Sequence, residues 1–280
     1  MSSEDGLKNA DTHHPGMRIE MDVRLDPTLG CGQAHRWIRR DGLWEGVIGD
    51  DIVTLSQTDD GFECTGTSDK KRILAYFRSE DDLGSIYKSI SERDPYVASL
   101  AERCPGLRIL RQDPWECIAT YLLATNANVR RIGMMVESVC REFGRDLGGR
   151  YSFPTPEEII RREENIRNCR LGYRDERFVE LAQRVHDGEV DPEAIGELGY
   201  RECVESLLQI KGVGPKVADC IALFAYGHTE AFPIDARIGR VLKEVYGMGG
   251  SYARLSDFGR ERFGVYAGYA QELLYHADFI

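Results

Sequence analysis

The 280-residue sequence predicts an α+β fold, in which a small antiparallel sheet precedes an all-α body. Two observations carry this. From Met17 to about Gly66, short runs rich in Val, Ile, Thr and aromatics alternate with polar residues and are broken by glycine and aspartate steps. After about Glu80 the apolar residues recur at helical spacing, with capping residues ahead of the runs.

RIEMDVRL, LWEGVIG, DIVTLSQT and GFECTG read as strands, separated by the hairpin signals DG, GDD and DDG. RILAYFRS (72–79) reads as a further strand. The helical series starts at SEDDLGSIYKSI, where Ser79 and the acids suit a helix N-terminus. DPWECIATYLLAT has Asp113 as cap and Pro114 in the first turn, with Trp115, Ile118, Tyr121 and Leu122 on one face. VRRIGMMVESVCREFG ends at Gly144, and TPEEIIRREE opens with a threonine cap and Pro156. DERFVELAQRVHDG, DPEAIGEL, RECVESLLQI, KVADCIALFAYG and DARIGRVLKEVYG follow, and the last helix is about GVYAGYAQELLYHADF. The expected organisation is a disordered polar tail (1–16), a sheet domain (17–112) and a helical body (113–280).

The totals exclude several classes. No apolar run approaches the roughly 18 residues of a membrane span. The polar N-terminus lacks the apolar centre of a signal peptide. The eight cysteines form no CxxC pair, so neither a zinc site nor an iron–sulfur cluster is expected, and the thiols read as small buried hydrophobes in a reducing compartment. The net charge of −11 argues at first against nucleic acid, but residues 1–100 carry −7 of it. Residues 161–184 hold seven arginines against five acids, and a binding surface needs only local positive potential.

QIKGVGPKVADC (209–220) joins two helices through a glycine hairpin bracketed by Lys211 and Lys216. Gly212 and Gly214 permit a tight turn and the close approach of another backbone. Pro215 suits the first turn of the second helix, whose free N–H groups and dipole make an anion site that a DNA phosphate fits. A plain structural turn satisfies the same residues. Lys216 and Cys220, four apart, share a helix face. Nineteen residues beyond Lys216, Asp235 follows the FPI step as a candidate N-cap facing back toward the hairpin.

KGVGPKVADCIALF followed by FPIDARI resembles the helix–hairpin–helix DNA glycosylase superfamily. LGCGQAHRW (29–37), ATNANVRRIGMMVESVCREFG, LGYRDERF and YAGYAQELLYHAD, in that order, resemble the 8-oxoguanine DNA glycosylase/AP lyase branch over about residues 18–280. The resemblance implies excision of 8-oxoguanine opposite cytosine from duplex DNA, with the damaged nucleotide flipped out, a lysine Schiff base and β-elimination. It makes Lys216 the nucleophile, and Lys211, in front of GVG, a bystander. An ordinary lysine is neutral in only roughly one molecule in 2,500 at pH 7, so Lys216 needs help from its surroundings. Asp235 would stabilise charge developing on the sugar.

For the base, the resemblance implies that the Gly32 carbonyl accepts the N7–H present only on oxidised guanine. Cys220 and Gln271 would contact the base, and Tyr275 would stack on it where the family usually has phenylalanine. Asn126, Tyr173 and Arg174 would fill the gap and meet the orphaned cytosine, with Arg131 adding hydrogen bonds. Gly212, Gly214 and Arg237 would hold phosphate, Arg237 standing where the family commonly has histidine. Ala127 between the asparagines of ATNAN departs from the family pattern. No cofactor is implied, although a monovalent or divalent cation fits the hairpin phosphate site. Damaged double-stranded DNA is the expected partner, without a membrane, for an intracellular monomer in nucleus or cytoplasm. Two alternatives differ in kind. A monofunctional alkylbase glycosylase would lack a lysine at 216, and a non-catalytic helix–hairpin–helix DNA-binding protein would need neither Lys216 nor Asp235.

Overall fold

The computed structural model describes residues 16–276, so the expected polar tail lies outside the described residues except for Gly16. Five strands, β1 (Met17–Glu20), β2 (Ile38–Arg40), β3 (Leu43–Ile48), β4 (Asp51–Thr58) and β5 (Gly61–Thr65), form one antiparallel sheet in the order β1-β5-β4-β3-β2. In the β2–β3 turn Asp41 and Gly42 both take positive φ (50° and 81°), the backbone that matches strand twist in a two-residue hairpin. The register aligns Trp44, Leu55 and Cys64 across three strands, and this face is buried together with Ile19, Val53 and Phe62.

Three sequence expectations change here. Residues 72–79 are not a strand. They fall largely in helix α2 (Lys70–Tyr76), which follows α1 (Leu25–Gly30). Asp69 caps α2, accepting from the Arg72 N–H at 2.9 Å, and Ile73 and Phe77, four apart, bury one face on the sheet. The fifth strand is β2 instead. RIEMDVRL pairs only through Glu20, because Arg24 begins the approach to α1. The next helix, α3 (Leu83–Arg93), is capped by Asp82 rather than Ser79, through the Ser85 N–H at 3.2 Å.

The helical body continues with α4 (Pro95–Arg103), α5 (Pro114–Leu123), α6 (Val129–Phe143) and α7 (Pro156–Ile160). After α7 the chain tightens into 3₁₀ turns at Glu163–Cys169 and Gly172–Arg174, so the run expected from TPEEIIRREE is shorter than its pattern. There follow α8 (Asp175–His186), α9 (Pro192–Gly196), α10 (Tyr200–Leu207), α11 (Pro215–Phe224), α12 (Ala236–Tyr246), α13 (Tyr252–Phe263) and α14 (Ala267–His276). Asp113 caps α5 and Thr155 forms a full capping box on α7, as their sequences imply. No helix among the described residues is long and apolar enough to cross a membrane.

The two bodies have separate apolar clusters, and α3 and α4 pack into the helical one through Leu83, Ile86, Ile90, Val97 and Leu100. Buried polar side chains tie the bodies together. Arg108 donates to the carbonyls of Asp22 (2.6 Å) and Arg78 (2.7 Å), and Arg150 donates to the Arg36 carbonyl (3.0 Å). Between them runs the loop carrying CGQAHRW.

Candidate active site

Within that loop, Gln33 makes the most bonds. Gln33 is buried and uses its whole amide: Nε2 donates to the carbonyls of Thr28 and Arg108, and Oε1 accepts from the Leu110 N–H, each at 2.8 Å. Its own carbonyl accepts from Gln112 (2.6 Å) and the Tyr121 hydroxyl (3.0 Å). The preceding Gly32 sits at φ 91°, and a Cβ there would stand 3.1 Å from Val129. The positive φ favours glycine here, and the Val129 methyl would have to give way to a Cβ.

Gly32 lines a cavity of about 260 Å³. Lys216, Cys220, Asp235, Gln271 and Tyr275 share its wall, so four elements or loops bring together the six residues expected to act on the sugar and base. Lys216 lies on α11 with its Nζ 5.5 Å from the Tyr121 ring centre. Asp235 caps α12: Oδ1 accepts from the Ile238 N–H at 2.8 Å, leaving Oδ2 without a hydrogen bond from the described residues. Gln271 is 4 % exposed, and its Oε1 has no partner among the described residues. A buried acceptor left unpaired costs about 1–3 kcal/mol, which a donor on a bound molecule would recover.

The Lys216 pKa is raised, first by the charge Cys220 carries when ionised, while burial opposes and Asp235 adds to the rise. Burial, however, pushes the Cys220 thiol up to about 11. At pH 7 Cys220 is therefore a neutral thiol and its contribution is absent. What remains is burial, which disfavours the ammonium, against Asp235, which favours it.

The loop after α5 lines the cavity through Ala124, Ala127 and Asn128, and several other expected residues lie in that loop or bond to it. Asn126 in that loop takes φ 53° and donates to the Tyr173 hydroxyl at 3.4 Å, and Tyr173 donates to the Thr125 carbonyl at 3.0 Å. Tyr173 is 54 % exposed, with the Arg174 guanidinium 4.3 Å from its ring centre and that of Arg177 at 5.5 Å. Arg174 is buried and turned inward, donating to the carbonyls of Leu171 and Thr125. Arg131 donates to the Arg170 carbonyl at 2.6 Å. Gly212 takes φ 95°, and a Cβ there would meet Leu122 at 3.0 Å and Arg177 at 3.1 Å, whereas Gly214 is extended and caps α11 with open space where a Cβ would stand. Arg237 donates to the Tyr275 carbonyl (3.0 Å) and lies 4.7 Å from the centre of that ring. Lys211 is engaged elsewhere, 2.7 Å from Glu180 on the surface.

Among the cavity residues that sequence reasoning missed are Tyr121, His35, Cys31 and Glu272. His35 is held down to about 4 by burial and by Lys216, so it is neutral at pH 7. Asp219, without a role in the sequence reading, accepts from Tyr200 (2.6 Å), Tyr252 and Ser256 (3.3 Å). No cluster of metal-binding side chains occurs among the described residues.

Residues 18–118 match the family model for the 8-oxoguanine DNA glycosylase N-terminal domain. The chain is 31% identical to the N-glycosylase/DNA lyase OGG1 of Arabidopsis thaliana, over 92% of this chain and 78% of the relative. The chain belongs to the 8-oxoguanine DNA glycosylase/lyase family. The N-glycosylase/DNA lyase of Saccharomyces cerevisiae is 28% identical over 80% of this chain and 69% of its own length. The solved structure of the Clostridium acetobutylicum 8-oxoguanine glycosylase/lyase, in complex with double-stranded DNA containing cytosine opposite 8-oxoguanine, superimposes with a TM-score of 0.86 at 30% identity, covering 92% of each chain. The N-terminal sheet and following helices are thus the family's α+β architecture.

Proposed function

We propose that this glycosylase/lyase-family chain excises 8-oxoguanine paired with cytosine from duplex DNA and cuts the strand at the resulting abasic site. The observation that carries this is the sharing of one cavity by Lys216, Asp235, Gly32 and Gln271. A target bond inside the base stack is out of reach, so the nucleotide must flip into that cavity. Lys216 attacks C1′, the base leaves, and the amine opens the sugar to a Schiff base that eliminates the 3′ phosphate. The free oxygen of Asp235 faces charge developing on the sugar. The Gly32 carbonyl accepts the N7–H of the oxidised base, where normal guanine offers a clashing lone pair. The unpaired Oε1 of Gln271 takes a donor from the Watson–Crick edge, and Tyr275 stacks on the base.

Tyr173 enters the stack beside the gap, with Asn126, Arg174 and Arg131 around the orphaned cytosine. The hairpin amides after Gly214, together with Arg237, hold phosphate. The enzyme acts as an intracellular monomer on damaged DNA. Its chemistry uses side chains alone, with no resident metal or other cofactor, although a cation at the hairpin phosphate fits the same scheme.

Incubation with an 8-oxoguanine:cytosine duplex and borohydride tests this. The unmodified protein should give a covalent adduct and Lys216→Gln none, while Lys211→Ala, whose lysine pairs with Glu180, should still trap. No adduct, or an undiminished one in Lys216→Gln, would overturn the proposal.

A further inference from the structure

Glu272 takes no part in the steps above, yet it shares the cavity wall with Lys216 and Asp235. It lies on α14, directly after Gln271, and is only 4 % exposed. No ion pair to Glu272 occurs among the described residues, and the Cys31 thiol, which donates to the Thr28 carbonyl, shares the cavity wall with it. The titratable groups facing it are Cys31 from the loop after α1, Tyr121 from α5, Lys216 and Cys220 from α11, Asp235 at the start of α12, and Tyr275 on α14. Lys216 is the single cation in that set. Asp235 already balances its charge, so a second buried carboxylate there is uncompensated and has a high affinity for a proton.

We propose that Glu272 is the acid–base partner of Lys216, taking the ammonium proton before attack and delivering it to the departing base. The proposal rests on the glycosylase/lyase reading. The Glu272 carboxylate accepts one proton from the Lys216 ammonium, leaving a neutral amine and a carboxylic acid. The amine lone pair forms the N–C1′ bond, and the C1′–N9 bond breaks with its electron pair going to the purine. The purine anion takes the proton from Glu272, which returns to carboxylate, while the lysine nitrogen becomes a secondary ammonium on C1′. Protons and charge balance without another reactant.

The electrostatics suit this exchange. Burial raises the Glu272 carboxyl from 4.5 to about 7, with the Asp235 charge adding to the rise and Lys216 and the nearby Cys31 thiol opposing it. An acid titrating near neutrality narrows the proton-affinity gap to lysine and is half ionised where it must work.

The test is single-turnover base release from an 8-oxoguanine:cytosine duplex between pH 5.5 and 9.5, at saturating enzyme, for the unmodified protein, Glu272→Gln and Glu272→Asp. The unmodified rate should rise through about pH 7 and level off. Glu272→Gln keeps the size and polarity but holds no exchangeable acid. It should be slower by about 100-fold at pH 7, with the deficit narrowing as pH rises. Glu272→Asp should recover part of the rate, and duplex affinity should be unchanged in both. An active unmodified protein with an equally fast Glu272→Gln, or a loss that is the same at every pH, would overturn the proposal and leave the glycosylase reading standing. An inert unmodified protein would overturn that reading, and this proposal with it.

Discussion

Asp235 combines two jobs that can be separated at the level of one residue. Its Oδ1 caps α12 through the Ile238 N–H, and asparagine caps as well as aspartate. Asp235→Asn should therefore leave chemical-denaturation stability within about 0.5 kcal/mol while removing the charge beside the sugar. Base release should fall by about 100-fold or more. Equal activity in the two proteins would reduce Asp235 to a cap. The roles given to Lys216 and Asp235 came from the family resemblance, but the hairpin ahead of α11 and the cap at Asp235 obey local, one-dimensional rules and were legible in the sequence. Glu272 was not. α14 is buried on every side from Ala267 to Leu274, so no apolar period marks which of its polar residues points into the cavity. His35 was hidden for a related reason, since its environment is made by Tyr121 and Lys216, far away in the chain.

The helix that carries Lys216 and Cys220 is held from behind by Asp219. The Tyr200 hydroxyl at the start of α10, and those of Tyr252 and Ser256 on α13, all donate to this buried carboxylate, and Arg260 donates to Tyr200 and Ser256. Asp219→Ala would leave these donors without their acceptor. Hydrogen bonds to a charged group contribute about 1.5–3 kcal/mol each. A loss of about 3 kcal/mol in a denaturant melt is expected, and a loss under 1 kcal/mol would refute the brace. The sequence could not disclose it, because its partners lie 19 to 37 residues away on other elements. At this scale the strand expectation for residues 72–79 also failed. Its aromatic and aliphatic content suits either period, and the deciding signal, the Asp69 cap, stood just ahead of the window.

For the molecule as a whole, the change from alternation to helical spacing revealed the sheet and the helical body. The seam between them was less visible. Gln33, Arg36, Arg108 and Arg150 are residue types that a sequence reading assigns to the surface, and each is at most 6 % exposed. Their burial makes sense only in the folded molecule, since most of the carbonyls they satisfy lie far away in the chain: Arg108 for Gln33, Tyr151 for Arg36, Asp22 for Arg108 and Arg36 for Arg150.

All eight cysteines are buried and unpaired, and burial raises every one of their pKa values, with Cys64 and Cys220 pushed up to about 11 and Cys140, Cys169 and Cys203 to about 12. Attack by peroxide needs an accessible thiolate, and the native chain offers almost none at neutral pH. Under iodoacetamide, the folded protein should gain fewer than one carbamidomethyl group in the time that the urea-unfolded chain gains all eight, read by intact mass. Rapid native labelling would contradict this. The lesion this chain is proposed to remove is made by oxidants. A protein rich in sulfur but poor in thiolate can keep working through the exposure that creates its substrate.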